Sequence, residues 1–480
     1  MKIAIIGAGP AGITAAYQLA KDIGKGKVTE VDLFELSSGV GGLAKSFDIW
    51  GQRVDLGPHR FFSHDTRVNK LWLEVVEKDY DIVNRQTRIF YNNNFFDYPI
   101  KPINALKGLG ITEAVRCVLS YGFQRVFPIK NDVTFESWVT NRFGNRLYSI
   151  FFKTYSEKLW GIKCNELDSD FASQRIKKMS LYEAIKNAVF GGSKNEHKTL
   201  VDQFAFPLRG TGHVYEKMAK KIIKNGGKIH LGIAVEKVIT SGRMVKGLEL
   251  TSGEYKEYDH VISSMPLSQL VIRLPETPYD IKELAHKLKF RNTVLVYLLV
   301  NRENLFPDQW LYIHSGELKT GRISNFRNWV KQLYGEEKNT ILCMEYWCNF
   351  DDPDWQKDDD YFIQLGKEEI IKTGLIGDGE ILHGHVVKLP RSYPVYFSNY
   401  KEVLTPIENY LKTIEKLHVI GRYGAYKYNN QDHSILMGLL ASENILEDKN
   451  NDIWGINTDY ESYQEASIIT KTGLTSMNNN

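Results

Sequence analysis

The chain has 480 residues, 42% hydrophobic and 25% charged. That supplies a large buried core over two or three domains and excludes a disordered or fibrous chain. Lys and Arg number 61 against 58 Asp and Glu, a formal charge of +3, so no nucleic-acid partner and no basic membrane-binding surface are expected. Cys117, Cys164, Cys343 and Cys348 form no CxxC pair. This speaks against a zinc ribbon or thioredoxin-type site and fits a reducing, cytoplasmic setting. The apolar start is broken by GAGPAG and has no small-residue cleavage site, so no signal peptide is expected. No run reaches the ~18 apolar residues of a spanning helix, so no membrane insertion is expected either.

KIAIIGAGPAGITAAYQLAK reads as a strand, a glycine turn and an Ala/Leu-rich helix, and VTEVDLFEL as a second strand. Together they make a βαβ unit. From about 100 to 200 the pattern turns helical, in KPINALKGL, in the segment around FESWVTNRFGNRLYSIFFKTYSEKLW and in SLYEAIKNAVF. Residues 226–265 return to short strands. NTVLVYLLV, QWLYIHS and NTILCMEYWC then read as antiparallel strands. LHVIG is the last strand, and ILMGLLASENIL an apolar helix after it. Beyond about 450 the chain is polar, which predicts a loose tail.

Gly7, Gly9 and Gly12 make GxGxxG between the first strand and helix, and Glu35 ends the second strand. The glycines allow a tight turn and a close approach to a pyrophosphate, which the helix N-terminus then faces. Glu35 can accept from ribose hydroxyls. A dinucleotide site is expected. His59 and His64, His383 and His385, and the acidic runs DDPDW and KDDDY lack further ligands of metal-site spacing, so no metal is expected.

GGLAKSF at 41–47, with Gly42 and Leu43, and DLGPH at 55–59 resemble the extension found in FAD oxidoreductases of the amine-oxidase type, and the resemblance implies FAD. Further motifs resemble the UDP-galactopyranose mutase family, in its longer eukaryotic-type branch. GPHRFFSH resembles that family's flavin loop, with His59 at the matching position. RQTRIFYNNNFFDYPI places Arg88 near the flavin, and YSEKLWGI supplies Trp160. QWLYIHSGELKTGR supplies Tyr312 and Arg322, and SYPVY supplies Tyr393. GRYGAYKYNNQDHS supplies Gly421, Arg422, Tyr428, Asn430, Asp432, His433 and Ser434. Two departures stand out: Ala205 in FAFP replaces a second diphosphate-binding arginine, and the NNQDH spacer is short. Arg209 is retained nearby.

The resemblance implies an α/β fold with α+β domains added. A discontinuous Rossmann-type FAD-binding domain would comprise residues 1–99, 201–285 and 405–450. A helical domain would span 100–200, an antiparallel-sheet substrate domain 286–404 and a tail 451–480. It also implies a mutase that interconverts pyranose and furanose forms of a nucleotide sugar, through N5 of reduced FAD at the anomeric carbon and with no net redox change. Arg322 and Arg422 would hold the diphosphate, and His59 would adjoin the flavin. Tyr312, Tyr393, Tyr428, Asn430 and Trp160 would line the substrate pocket. Gly421 would let the backbone approach the flavin, with Asp432, His433 and Ser434 opening a helix that faces it. Asn430 could equally cap that helix. A homo-oligomer is compatible with this reading. The alternatives are an FAD-dependent oxidase or desaturase of the amine-oxidase or protoporphyrinogen-oxidase type, and a flavoprotein scaffold without activity.

Overall fold

The computed structural model describes residues 1–98, 102–175, 203–456 and 467–476. Two main sheets are built, in chain order, from β1 (Lys2–Ile6), β2 (Glu30–Glu35), β3 (Thr87–Tyr91), β4 (Asn94–Asp97), β5 (Lys228–Leu231), β6 (His260–Ser263), β7 (Phe290–Val300), β8 (Trp310–Ile313), β9 (Arg322–Asn325), β10 (Thr340–Cys348), β11 (Ile381–Pro394) and β12 (Leu417–Val419). The helices that bear on the site are α1 (Pro10–Ala20), α2 (Ile111–Val126), α3 (Thr154–Trp160), α4 (Asp359–Lys372) and α5 (Gln431–Leu446).

The first sheet is parallel throughout, in the order β12-β6-β1-β2-β5. Ile3, Ala4, Ile5 and Ile6 of β1 are all buried, as a parallel strand covered on both faces requires. α1 packs against α5. A Cβ on Gly438 of α5 would lie 2.4 Å from the Ala11 carbonyl oxygen. Ser442 donates to the carbonyl of Ala15, 427 positions away.

The second sheet runs β11-β7-β10-β9-β8-β3-β4. It is antiparallel except between β8 and β3. Side chains alternate between its faces. On the outer face Val294, Val296, Leu311, Ile323 and Met344 form a core with Phe362 and Ile370 of α4. On the inner face Leu295, Tyr297, Leu299, Trp310 and Cys343 pack with Val54, Phe204 and Phe206. The hairpin of Ser46–Ile49 and Gln52–Asp55 lies on that inner face, and Tyr297 donates its hydroxyl to the Asp55 carbonyl at 2.7 Å. Alternation also puts His383 beside Trp50 and His385 beside Phe47.

The helical region contains Pro102–Leu109, α2, Phe135–Phe143 and α3. The helix expected in SLYEAIKNAVF lies outside the described residues. Where the sequence predicts a loose tail, Ser467–Thr470 and Gly473–Ser476 form a hairpin. Ser467 N donates to His64 O at 3.0 Å, Asn69 Nδ2 to Ser467 O at 3.0 Å, and the Tyr80 hydroxyl to Thr470 O at 2.8 Å. Hydrogen bonds between distant residues hold this hairpin, which local composition does not reveal. Among the described residues no helix is long and apolar enough to cross a membrane, and no group of His, Cys, Asp and Glu is arranged to hold a metal.

Candidate functional site

At one end of the site two glycine turns meet. Gly7 has φ +93, and a Cβ on Gly12 would lie 2.0 Å from the Gly7 carbonyl oxygen. Gly42 has φ +54, and a Cβ there would lie 2.9 Å from the Gly9 Cα. Only backbone fits at these contacts, which leaves amides rather than side chains to meet a pyrophosphate. Glu35 closes the turn: its carboxylate accepts from Ala8 N at 2.7 Å and Ser37 N at 2.8 Å. Gly42 is exposed and Leu43 partly buried. Gly421, φ +82, approaches from β12, its virtual Cβ 3.1 Å from that of Ala11. This cradle fits an adenine dinucleotide.

His59 follows the strand Gln52–Asp55 and its Nδ1 lies 3.1 Å from the Gly57 carbonyl. Because a carbonyl only accepts, the ring carries its proton on Nδ1 and presents Nε2 as an acceptor. Burial, then the Arg322 and Arg422 charges, push its pKa down to about 4, so the ring is neutral near pH 7. The loop is tied to α5: Gln431 donates to Arg60 O at 3.3 Å and accepts from the Tyr215 hydroxyl at 2.7 Å. Behind it the buried Asp55 accepts from Ser46 and from Thr211 N. Burial raises its pKa to about 6.

Arg322 lies on the inner face of the second sheet, opposite Tyr312 on β8 and Glu345 on β10. Its Nε and Nη2 donate to the two Glu345 carboxylate oxygens, each at 2.6 Å. Only Nη1 is uncommitted, so Glu345 offsets most of the charge that the sequence assigns to a diphosphate. Tyr312 packs against Tyr98 and edge-on to Tyr155, and Tyr155 lies edge-on to Trp347. Arg88 does not join them. Strand alternation puts Ile89 beside Tyr312 and turns Arg88 to the outer face. There Asp308 takes its fork at 2.6–3.2 Å and its guanidinium lies over Phe95. Arg88 thus pairs with a buried acid on the face of the sheet opposite Tyr312 and Arg322.

Arg422 has a different setting. Its guanidinium carbon lies 4.6 Å from the Tyr393 ring centroid and 4.4 Å from that of Tyr428. Nη1 donates to Asn429 O at 3.3 Å, while Nε and Nη2 are buried without a hydrogen bond. Tyr393 and Tyr428 stack at 5.6 Å, and the Trp160 ring is edge-on to both. Burial raises the Tyr393 hydroxyl to about 12, so it remains a donor. Asn430 occupies the cap position of α5, yet its exposed side chain makes no capping bond. His433 and Ser434 are buried in the first turn, and Asp432 lies 2.9 Å from His433 Nδ1 without hydrogen-bond geometry.

Two buried charges clamp the loop between β8 and β9. Lys158 of α3 donates to Ile313 O, Ser315 O and Thr320 O at 3.2, 2.7 and 3.4 Å. Glu369 of α4 accepts from Lys319 N and, at 2.9 Å, from Thr320 N. Arg291 donates to the carbonyls that end α3, Lys158 O at 3.3 Å and Leu159 O at 3.2 Å. The clamp fixes Tyr312, Arg322 and Trp160 relative to one another. Glu345 and Glu369 are absent from the sequence reading, and Lys158 stands in its YSEKLWGI motif without a role. Glu345 had a signal, being the one carboxylate in the buried strand TILCMEYWC, where an acid needs a partner.

Ala205 sits buried on the strand Gln203–Pro207 and is bridged to Phe61, two residues past His59. The cation missing from FAFP is therefore missing beside the His59 loop.

Several known proteins resemble this chain. It is 22% identical over 289 residues to coproporphyrinogen III oxidase of Staphylococcus aureus, covering 55% of this chain and 60% of that one. It is 25% identical over 292 residues to zeta-carotene desaturase of Zea mays, covering 54% and 47%. The chain thus spans about half the length of the curated relatives it matches. The structure of reduced UDP-galactopyranose mutase superposes with a TM-score of 0.83, covering 94% of each chain at 23% identity, which shows a shared fold. The profile of the flavin containing amine oxidoreductases matches residues 10–352. The chain therefore belongs to the flavin containing amine oxidoreductase family, and its cofactor is FAD.

Proposed function

We propose that the protein is a nucleotide-sugar mutase that works with reduced FAD, in the cytoplasmic part of a cell-surface polysaccharide pathway. The observation that carries this is Arg422, a half-buried cation whose Nε and Nη2 are buried without a hydrogen bond and which pairs with no acid among the described residues. A buried charge needs a counter-charge, and the carboxylate of Glu345 is already taken by Arg322. The substrate must bring the anion. An amine substrate carries the wrong sign for such a pocket.

Reduced FAD, when bound, supplies the nucleophile for the anomeric carbon. The chain's part is to hold the departing diphosphate within reach. Arg422 and Nη1 of Arg322 meet its oxygens, since a guanidinium stays charged and binds phosphate in a fork. Tyr393 and Tyr428 add hydroxyl donors. His59, neutral, offers Nε2 as an acceptor and adds no charge to compete for the anion. The packed rings of Trp160, Tyr393, Tyr428 and Trp347 exclude water.

A second reading, an FAD oxidase acting on an anionic tetrapyrrole, has the similarity to coproporphyrinogen III oxidase in its favour. One experiment separates them. Dithionite-reduced enzyme is incubated with UDP-, TDP- and GDP-sugars, and products are resolved by chromatography. A furanose product without net consumption of reductant supports the mutase. Stoichiometric peroxide from oxidised enzyme and a porphyrinogen, with no furanose from any sugar, would sink it.

A further inference from the structure

We propose that the protein pairs with a second copy of itself through an apolar ridge on α2. Among the described residues nineteen large hydrophobic side chains are exposed, and nine of them lie between Ile111 and Val133. Ile111, Val115, Val118, Leu119, Phe123 and Val126 recur at helical spacing and fall on one side of α2. Ile111 is 85% exposed, Leu119 68% and Val126 69%. The opposite side, with Ala114, Cys117 and Gln124, is the one buried in the domain. Phe127, Ile129 and Val133 continue the ridge past the helix end.

The nine side chains expose roughly 900 Å², against the few hundred Å² of the largest patch on a typical monomer. That is about one partner's share of a standard two-chain interface. The ridge is also shaped for its own kind. Gly122 lies within it, and a Cβ there would have no neighbour within 4 Å, so a second helix can approach closely. In an antiparallel two-fold pair Leu119 meets its copy, and the ends of the ridge, Ile111 and Val126, meet each other.

Charge favours a protein partner over a lipid surface. A helix lying on a membrane shows a row of cations on its polar side. Here the helix carries two cations, Arg116 and Arg125, nine positions apart and not in a row, and Arg116 pairs with Glu113 at 3.4 Å, which also pairs with Arg146 at 3.0 Å. The pairing does not depend on which reaction the enzyme performs.

The test uses the full FAD-loaded chain in sedimentation equilibrium at low-micromolar concentration. The wild type is expected to be a dimer. Leu119→Glu combined with Phe123→Glu brings carboxylates together across the two-fold and should weaken association about a hundredfold or more, with flavin content unchanged. Leu119→Met should remain dimeric. Should the double variant lose its flavin, Leu119→Cys decides instead: oxidation should link two chains, because the four native cysteines are buried. A monomeric wild type, a double variant still dimeric, or no linkage through Leu119→Cys would overturn the proposal. Monomeric wild type floating with phosphatidylcholine–phosphatidylglycerol vesicles would also overturn it and assign the ridge to lipid.

Discussion

Arg322 and Glu345 face each other on neighbouring strands of the second sheet and share two hydrogen bonds of 2.6 Å, with Glu345 only 2% exposed. Removing one member of a buried pair leaves the other charge uncompensated. Arg322→Ala should therefore lower folding stability by about 3–5 kcal/mol, measured by denaturant unfolding. Glu345→Gln should cost less, because the amide still accepts from Arg322. It should also tighten UDP binding, since it returns charge to the site. Unchanged stability in Arg322→Ala would mean that the pair is not closed in solution.

Arg422 leads to the opposite expectation. No acid depends on it, so Arg422→Ala should leave stability within about 1 kcal/mol, the scale of the lost ring contacts. UDP affinity should fall by roughly 1.5–3 kcal/mol, the worth of a charge-assisted hydrogen bond. Titration calorimetry on the reduced enzyme checks this. Wild-type affinity would remove Arg422 from the diphosphate site.

Lys158 donates to three carbonyls at once, and burial pushes its pKa down to about 8. Lys158→Met keeps the stem and strips the donors. It should cost about 1–3 kcal/mol and speed amide exchange in residues 316–320, read by mass spectrometry. Exchange unchanged in that loop would show that Glu369 alone holds it.

Stability should respond to pH through two groups of opposite sign. His59 sits at about 4 against an ordinary 6.5. Its contribution is complete above 6.5 and is lost as pH falls through about 4. Asp55 sits at about 6 against 3.8. Its contribution is complete below 3.8 and is lost as pH rises through about 6. Asp55→Asn keeps the acceptor for Ser46 and Thr211 N and removes the ionisation. It should gain up to about 3 kcal/mol over wild type above pH 6, with no gain near pH 4. Equal gains at both ends would refute the assignment.

Gly42→Ala tests the glycine cradle. The position has φ +54, and the new methyl would press on Gly9. FAD retention should drop about tenfold or more, the fold staying intact. Full flavin occupancy after dialysis would show that the two turns do not jointly hold the cofactor.

The two ends of the FAD fold were legible because their signals are local. Gly7, Gly9, Gly12 and Glu35 follow a strand–turn–helix pattern that steric rules make nearly unique. Arg322, Tyr393 and Arg422 were named from motif resemblance, and folding brings the two arginines close to His59 and Arg422 over the Tyr393 ring. Glu345, Lys158 and Glu369 were missed because their partners lie 23 to 162 positions away, and no window of sequence shows such a pairing. The face taken by Arg88 was not legible, because a motif fixes a neighbourhood, whereas the face of a strand is set by register, and one residue reverses it.

The packing of α1 on α5 has a consequence for synthesis. The helix that backs the first glycine turn, and the Gly421 turn that meets Ala11, are made some four hundred residues after that turn. Contacts of that separation are slow to close. A nascent chain released before α5 should hold β1 and β2 with one side bare and should not retain flavin. Cofactor capture is then an event that reports the synthesis and docking of α5.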